Sequence, residues 1–297
     1  MTQKIEAFDP TRLNDSLQCL RLFYWRHERK YVRKGLQMPL AYGTAVHECL
    51  AEHYRGRTAG QALQAFEAVW QRDVLPWLDE YSVEDPKRSL QGWIDQFQAY
   101  RLYYQKEPFQ VLQVESPFLL MLEPDLALCG VIDLLISYLG QIMAVDHKTT
   151  SITYQSFFDG FNPNHQFTSY MLGATELLGQ PVTTMIANCI VSTTKMQQPE
   201  KMFIRYPTQR SLEQLAAFKE EIVAWWRIVQ ACRDSGHWPR NPDRCQRWKG
   251  GCDYHPLCTD IQSDYRRLVP SPRMYTEQQW NPLRHLAEKG LNMEGLE

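Results

Sequence analysis

The chain has 297 residues, 44% of them hydrophobic and 22% charged, which is close to average globular usage. This composition excludes a disordered or fibrous protein, and the length suffices for one large domain or two ordinary ones. A formal net charge of −2 excludes a strongly basic nucleic-acid-binding protein, so any nucleic-acid surface must be a local patch. Because no apolar run could span a bilayer and the N-terminus lacks a secretory signal, we expect an intracellular, cytoplasmic protein with no membrane partner.

Helical spacing of apolar residues dominates the first 108 residues. The predicted helices cover 15–34, 43–55, 60–80 and 86–106. Asp15 or Ser16 suits the N-cap position of the first of them. The pattern therefore indicates a helical N-terminal flank, 1–108, that precedes every predicted strand.

Short apolar runs typical of strands begin at Phe109. They cover 109–115, 117–122, 127–137, 141–147, 182–191 and 201–206. Gly140 suits a hairpin turn between the third and fourth of these strands. Two further helices are predicted over 163–178 and 211–233. The second of these has Ser211 and Gln214 at the spacing of a capping box.

This order of elements predicts one mixed α/β domain, because helices and strands alternate without an internal repeat or a flexible linker. After the helical flank, 109–208 forms the sheet core with the active site. The segment 209–260 contributes a long helix and a group of cysteines, and 261–297 is a weakly patterned tail.

The most informative feature is a pair of carboxylates and a lysine on the predicted hairpin. Asp133 lies within an apolar strand, where an unpaired carboxylate is costly to bury. Asp146 and Lys148 end the next strand and, because strand side chains alternate, point to the same side. Pairing of the two strands would bring Asp133 to that face. These groups suit either a hard divalent cation with an amine beside it or a structural Asp–Lys pair, and this stretch alone does not decide between them.

These residues and two further motifs resemble the RecB-like branch of the PD-(D/E)XK nuclease superfamily. The G-x-x-D at 130–133 followed by the D-x-K at 146–148 is similar to the core motif of the superfamily. The segment 43–47 resembles its G-x-x-x-H helix, and the segment 166–170 resembles its Q-x-x-x-Y motif. The resemblance covers about 17–260 and implies a restriction-endonuclease-like mixed-sheet core flanked by helices.

The resemblance also implies a role for each matching residue. A divalent metal, Mg²⁺ or Mn²⁺, would be bound by His47, Asp133, Asp146 and the backbone carbonyl of His147. Lys148 would be the catalytic lysine. Gln166 and Tyr170 are one helical turn apart and would contact the DNA strand or that lysine.

Each motif has a structural explanation when taken alone. His47 would suit a satisfied core histidine, and Gln166 and Tyr170 would suit an ordinary helix face. Glu115 stands where the family often has an acidic residue, and we interpret it as structural. The occurrence of all four motifs in one order favours the nuclease interpretation.

Three C-terminal cysteines and one near the N-terminus form a second pattern. Cys245, Cys252 and Cys258 lack the close pairs usual in zinc sites. The segment that begins at Cys19 resembles the N-terminal cysteine helix of iron–sulfur RecB-like nucleases, with Leu20 where Pro is common. The resemblance implies that these four cysteines bind a [4Fe–4S] cluster that joins the N- and C-terminal segments, with zinc or unligated thiols as the alternatives.

A basic segment near the N-terminus is the candidate nucleic-acid surface. Arg26, Arg29 and Lys30 lie in a segment that also contains aromatic residues, so cations could track phosphates while rings stack on bases. Tyr170 is a further candidate contact. A solvated amphipathic helix face explains the same pattern equally well. Because the chain has no P-loop motif, a helicase or recombination partner would be another polypeptide.

The resemblance as a whole implies a divalent-metal-dependent nuclease that hydrolyses phosphodiester bonds. It favours exonuclease action on single-stranded DNA or duplex ends, in recombination, repair or phage replication. An endonuclease, an RNA-directed nuclease, or a non-catalytic DNA-binding or assembly subunit of a nuclease–helicase complex are the alternatives. The presence together of His47, Asp133, Asp146 and Lys148 argues against the non-catalytic subunit.

Overall fold

The structure is a computed structural model that describes residues 5–81, 85–152, 154–245, 251–260, 264–278 and 280–292. Within these ranges the helices, α1 to α12, are Pro10–Gln18, Leu20–Phe23, Met38–Tyr54, Ala59–Asp73, Leu75–Tyr81, Leu90–Tyr103, Gln155–Asp159, His165–Leu178, Pro199–Met202, Leu212–Ser235, His255–Thr259 and Pro282–Glu288. The strands, β1 to β8, are Glu6–Phe8, Tyr31–Arg33, Gln110–Glu123, Leu126–Tyr138, Gln141–Thr150, Thr184–Val191, Phe203–Gln209 and Tyr275–Glu277. No helix in the described ranges has both the length and the apolar character to cross a membrane.

The chain folds into two compact units. The first comprises the described residues within 1–34, 119–130 and 216–297, and the second comprises those within 35–118 and 131–215. All the residues of the predicted nuclease motifs from His47 to Tyr170 belong to the second unit, apart from the glycine that opens the G-x-x-D motif. The four cysteines predicted to bind a cluster belong to the first unit.

A mixed sheet forms the centre of the second unit. Its strand order is β4-β5-β6-β7, in which β5 and β6 run parallel and the other neighbours run antiparallel. The predicted hairpin is confirmed, because Leu134 lies opposite Val145 and Tyr138 opposite Gln141. β6 is buried along nearly its whole length, as expected for an interior strand covered on both faces.

Aromatic side chains pack the helices of the second unit. Tyr42, Phe66, Trp93 and Phe97 are fully buried, and their rings stack or meet edge to face. Ile190 of β6 belongs to the same cluster, so α3, α4 and α6 share a core with the sheet. Large buried rings of this kind contribute much of the stability of a core. The mixed α/β class with helices against a mixed sheet is therefore confirmed.

α8 lies close to β3 because of one glycine. A β-carbon on Gly173 would overlap the ring of Phe118, so only glycine allows this approach without a shift. At its other end, Asn164 caps α8 by accepting a hydrogen bond from the backbone N–H of Phe167 at 3.1 Å. These contacts fix the helix that carries Gln166 and Tyr170.

The first unit has two short strand pairings and an aromatic core. β1 pairs in parallel with Leu126–Leu128 at the start of β4, and β2 pairs antiparallel with β8. The ring of Phe23 stacks between those of Phe8 and Trp238, with centroids 6.0 Å apart on each side. The aromatic residues of the basic N-terminal segment therefore contribute to a protein core.

The helix predicted over 15–34 is wrong in its bounds and its cap. α1 begins at Pro10, and its N-cap is Asp9, whose carboxylate accepts from the backbone N–H of Arg12 at 2.7 Å. Asp9-Pro10 is the stronger start signal because proline suits the first helical turn. Cys19 is extended and interrupts the helix. The short helix α2, a π-helical turn over Tyr24–Glu28 and the strand β2 then follow in its place.

Some short elements were not predicted from the sequence. β1 and β2 lie within the first 108 residues, so this segment is not wholly helical, and the C-terminal tail contains β8 and α12. Strands of three residues are too short to give an alternating pattern. The strands predicted over 109–115 and 117–122 form one strand, β3. The capping box of α10 is confirmed, because Gln214 N–H donates to Ser211 Oγ at 3.2 Å and Ser211 N–H donates to Gln214 Oε1 at 2.8 Å.

Candidate active site

The β4–β5 hairpin brings two carboxylates to adjacent positions. Leu134 lies opposite Val145, and the next residues along the two strands are Asp133 and Asp146. Asp133 is 7% exposed and Asp146 is 1% exposed. The backbone N–H of His147 donates to Asp133 Oδ2 at 2.6 Å. The structure thus has two buried carboxylates side by side on the strands for which the sequence predicts them.

Lys148 and the amide of Gln166 complete one side of this site. Lys148 Nζ lies 2.7 Å from Asp146 Oδ2 and donates to Gln166 Oε1 at 2.8 Å. The amide nitrogen of Gln166 donates to Asp146 Oδ1 at 3.2 Å and to the hydroxyl of Tyr170 at 3.0 Å. Gln166 therefore contacts both members of the ion pair. Tyr170 is 8% exposed, and its hydroxyl accepts from this amide.

His47 of α3 completes the other side. Its Nδ1 lies 3.3 Å from Asp133 Oδ2. Burial alone would lower the pKa of His47, but the carboxylate of Asp133 outweighs it and raises that pKa to about 9. Burial would likewise raise the pKa of Asp133, but His47 holds it well below its ordinary value. Each side chain therefore favours the charged form of the other.

The pKa of Asp146, the second carboxylate, is raised, whereas that of Asp133 is lowered. Burial raises the pKa of Asp146, Lys148 opposes this rise, and the neighbouring Asp133 adds to it. Two carboxylates beside each other repel, so a cation shared by both would stabilise the ionised form of Asp146. Asp146 Oδ2 is buried and lies 2.7 Å from Lys148 Nζ, with no other polar partner among the described residues.

The donor set fits a hard divalent cation, but its atoms are not gathered around a common point. In the described part of the chain, no group of three or more His, Cys, Asp and Glu side chains is arranged to hold a metal ion. Asp133 is paired with His47 and Asp146 with Lys148 instead. Carboxylates and a backbone carbonyl suit Mg²⁺, and the imidazole adds an affinity for Mn²⁺.

The four cysteines of the predicted cluster converge near Asn241. Its backbone N–H donates to Cys19 Sγ at 3.3 Å, and Cys245 Sγ lies 3.8 Å from its carbonyl oxygen. The backbone N–H of Cys252 donates to the carbonyl of Cys245 at 2.9 Å. Burial raises the pKa of Cys258 to about 11, Arg21 opposes this rise, and the other three thiols add to it. None of the four is in a disulfide.

The cysteine geometry leaves the cluster unconfirmed. Burial raises the pKa values of Cys252 and Cys258, and a metal that bound these sulfurs would displace their protons. The four sulfurs are close enough to affect one another, but they are not arranged as ligands of a metal in the described ranges. A metal cluster that joins the N- and C-terminal segments therefore stays a prediction.

The basic N-terminal segment is largely occupied by contacts within the first unit. Arg26 donates to both carboxylate oxygens of Asp15, at 3.1 and 2.9 Å. Arg29 donates to the hydroxyl of Tyr24 at 3.0 Å. Lys30 is exposed, and its φ of 57° marks the turn at which the helical segment ends. Of the three predicted DNA-contacting cations, Lys30 is the one that extends into solvent.

A cavity of about 600 Å³ lies in the first unit. Arg233 lines it and binds Glu6 and Glu28, at 2.6 and 2.7 Å. Trp226 and Gln230 also donate to Glu6, each at 3.1 Å. These contacts occupy the carboxylates of Glu6 and Glu28. Its lining includes none of the predicted metal ligands.

Sequence reasoning missed a polar network around the imidazole of His147. Asn188 of β6 contacts this ring, and Tyr100 and Tyr54 continue the network. The signal in the sequence is one amide inside the apolar strand that contains Asn188. A buried amide needs partners, but the sequence alone does not identify them.

Comparison with known proteins agrees with this geometry. The family profile described as the PD-(D/E)XK nuclease superfamily matches residues 7–259. The chain therefore belongs to the PD-(D/E)XK nuclease superfamily. Membership implies a phosphodiester hydrolase, and it agrees with the restriction-endonuclease-like character of the sheet and its helices.

Solved structures add support for the fold alone. A protein described as "Putative exonuclease" from Eubacterium rectale is 10% identical to this chain, with a TM-score of 0.50 and 91% of each chain covered. The protein SSO0001 is 12% identical, with 85% of this chain and 96% of that chain covered. Its TM-score of 0.35 is too low to carry an argument. A search of the curated proteins finds no match.

Proposed function

We propose that this chain is a divalent-metal-dependent deoxyribonuclease whose chemistry is carried by the β4–β5 hairpin and by side chains of α3 and α8. One observation carries the proposal. Lys148 Nζ contacts Asp146 Oδ2 at 2.7 Å and Gln166 Oε1 at 2.8 Å, beside the second buried carboxylate of Asp133. A structural Asp–Lys pair would not need a second carboxylate, which burial makes costly.

The proposed metal ligands are oxygen donors and one imidazole. Mg²⁺ or Mn²⁺ would be held by His47, Asp133, Asp146 and the backbone carbonyl of His147. When bound, the metal would polarise a phosphoryl oxygen and lower the pKa of a water molecule. The 3.3 Å contact between His47 and Asp133 supports this set, because it brings α3 to the strand that carries the carboxylate.

The ammonium of Lys148 would act on the attacking water or on the charge that develops on the phosphate. An ammonium fixed in a partly buried site stabilises such charge more than it does in water. Gln166 would keep Lys148 in place through its amide oxygen, and Tyr170 would restrain Gln166. Lys30 and Arg29 are the candidate contacts to the DNA backbone.

The finer parts of the proposal rest on the family. We favour exonuclease action on DNA ends, in recombination or repair, and a [4Fe–4S] cluster bound by Cys19, Cys245, Cys252 and Cys258. The convergence of these thiols near Asn241 supports the cluster. A helicase or recombination partner on another polypeptide stays a prediction.

Labelled DNA tests the function. We would incubate the full chain with 5′- and 3′-labelled single- and double-stranded DNA while titrating Mg²⁺ and Mn²⁺. Lys148→Met should lower the cleavage rate at saturating metal about 10²–10³-fold, because it removes one fixed stabilising donor. Lys219→Met, at an exposed position of α10, is the matched control and should cleave as wild type. Equal rates for the two variants would refute the proposed role of Lys148.

A further inference from the structure

A buried hydrogen-bond network surrounds the imidazole of His147. Asn188 lies opposite His147 in the β5–β6 register, and its Nδ2 is 2.8 Å from His147 Nδ1. The same nitrogen donates to the hydroxyl of Tyr100 at 2.9 Å, and this hydroxyl lies 2.6 Å from that of Tyr54. His147, Asn188 and Tyr100 are each 1% exposed or less. Protein groups rather than bulk solvent therefore fix this ring.

The network closes on itself through an ion pair. Glu107 accepts from the hydroxyl of Tyr54 at 2.8 Å and from Arg205 through two hydrogen bonds of 2.7 Å. Arg205 Nε in turn donates to Asn188 Oδ1 at 3.4 Å. Both ends of the Asn188 amide therefore have partners. Such a closed network holds its members in one arrangement, because each buried polar group depends on the next.

These contacts determine the orientation of the amide and the position of a proton. Arg205 Nε can only donate, so the atom of Asn188 that faces it is the oxygen. The amide nitrogen then faces His147, whose Nδ1 must accept. The proton of a neutral His147 ring is therefore on Nε2. This nitrogen is buried and has no hydrogen-bond partner among the described residues.

His147 connects this network to the active site in two ways. Its backbone N–H donates to Asp133 Oδ2 at 2.6 Å. Its ring meets the ring of His47 edge to face, with centroids 5.7 Å apart at 82°, and stacks on Tyr54 at 5.7 Å and 11°. Displacement of the His147 ring would therefore move groups that contact both Asp133 and His47.

We propose that Asn188 is a positioning residue of the active site, which acts by holding His147 in the orientation that the metal ligands require. The inference rests on the proposed function, in which Asp133, His47 and the carbonyl of His147 bind the metal. Residues behind a ligand commonly change metal affinity or activity about 10–100-fold when they are replaced. The side chain of Asn188 contacts the ring of His147, Tyr100 and Arg205, and none of these groups is a proposed ligand atom.

Two variants and one binding measurement test the inference. Asn188→Asp keeps the shape of the side chain but cannot donate to His147 Nδ1. Tyr100→Phe keeps that donor and removes the hydroxyl that accepts the other amide hydrogen. Binding of Mn²⁺ to the full chain without DNA would be measured from the electron paramagnetic resonance signal of free Mn²⁺. We expect about tenfold or greater weakening in Asn188→Asp and a smaller weakening in Tyr100→Phe.

Gln96→Leu is the matched control. Gln96 is also a buried amide of the second unit, 3% exposed, but it donates to the carbonyl of Val191 at 2.8 Å and not to His147. The Gln96→Leu variant should have a lower melting temperature than wild type but the same affinity for Mn²⁺. Equal weakening of Mn²⁺ binding in Gln96→Leu would overturn the inference, because the effect would then follow from lost stability.

The remaining outcomes separate the inference from the proposed function. Wild-type Mn²⁺ binding by Asn188→Asp would overturn the inference and leave the function intact. Should that variant fail to fold, wild-type Mn²⁺ binding by Tyr100→Phe would overturn it instead. A wild-type chain that neither binds Mn²⁺ nor cleaves DNA with it would overturn both.

Discussion

Gln166 donates to Asp146 Oδ1 at 3.2 Å while its own oxygen accepts from Lys148 Nζ at 2.8 Å, so one amide on α8 contacts both members of an ion pair on β5. The amide is suited to this position because it has a donor and an acceptor on adjacent atoms. A carboxylate at 166 could accept from Lys148 but could not donate to Asp146. An apolar side chain could do neither.

Replacement of this amide should therefore impair catalysis more than folding. Gln166→Met removes both hydrogen bonds and keeps the length of the side chain, so we expect cleavage at saturating metal to fall about 10–100-fold. The free energy of unfolding should change little, because Gln166 is only partly buried. Rates from the labelled-DNA assay and urea unfolding curves would measure the two effects. Gln155→Met, at an exposed glutamine of α7, is the control, and a similar loss of cleavage in it would count against the role of Gln166.

The first unit should lose stability in acid through Glu6. Burial would raise the pKa of Glu6, but its contacts with Arg233 and Arg12 outweigh burial and lower that pKa below its ordinary value of 4.5. A carboxyl group whose pKa is lower in the folded state stabilises the fold above its unfolded pKa, and this contribution is lost as the pH falls through the folded pKa. We expect Glu6→Gln to lower the free energy of unfolding at pH 7 by about 1–3 kcal/mol.

The same variant should lose less further stability than wild type between pH 6 and pH 3. Urea unfolding at several pH values would give both curves. Parallel curves, with the same difference at every pH, would show that ionisation of Glu6 does not contribute to the stability of this unit.

The cysteine prediction has a spectroscopic test. If Cys19, Cys245, Cys252 and Cys258 bind a [4Fe–4S] cluster, anaerobically purified protein should contain about four iron atoms per chain and absorb visible light. Cys258→Ser should lose both properties, and Cys232→Ser, at a buried cysteine of the same unit, should keep them. Colourless protein with one bound zinc would contradict the iron–sulfur assignment and favour the zinc alternative.

The sequence predicted the hairpin well because its signal is local. The strand 127–137 and the strand 141–147 are apolar runs separated by Gly140, and such a turn allows few registers. The register then determines that Asp133 and Asp146 are neighbours. The contact of His47 with Asp133 followed from the family motif, since no local pattern relates a helix to a strand so far along the chain.

The sequence failed where tertiary contacts override local patterns. Cys19 breaks a helix whose periodicity continues past it, and the rings of Phe23 and Trp25, which belong to the basic segment, are buried in the core. Asn188 gave no indication of its partners, because His147 and Tyr100 belong to distant segments. Residues that position a site are therefore harder to predict than the residues that form its motif.

The central claim is that Asp133 and Asp146 bind a divalent metal that the nuclease needs. The most direct measurement compares wild type with Asp146→Asn in Mn²⁺-dependent degradation of end-labelled DNA, with Mn²⁺ binding and the circular dichroism spectrum of each protein recorded alongside. We predict that the variant keeps its fold, binds Mn²⁺ far more weakly and degrades DNA no faster than the no-metal background. Undiminished degradation by folded Asp146→Asn would contradict the account.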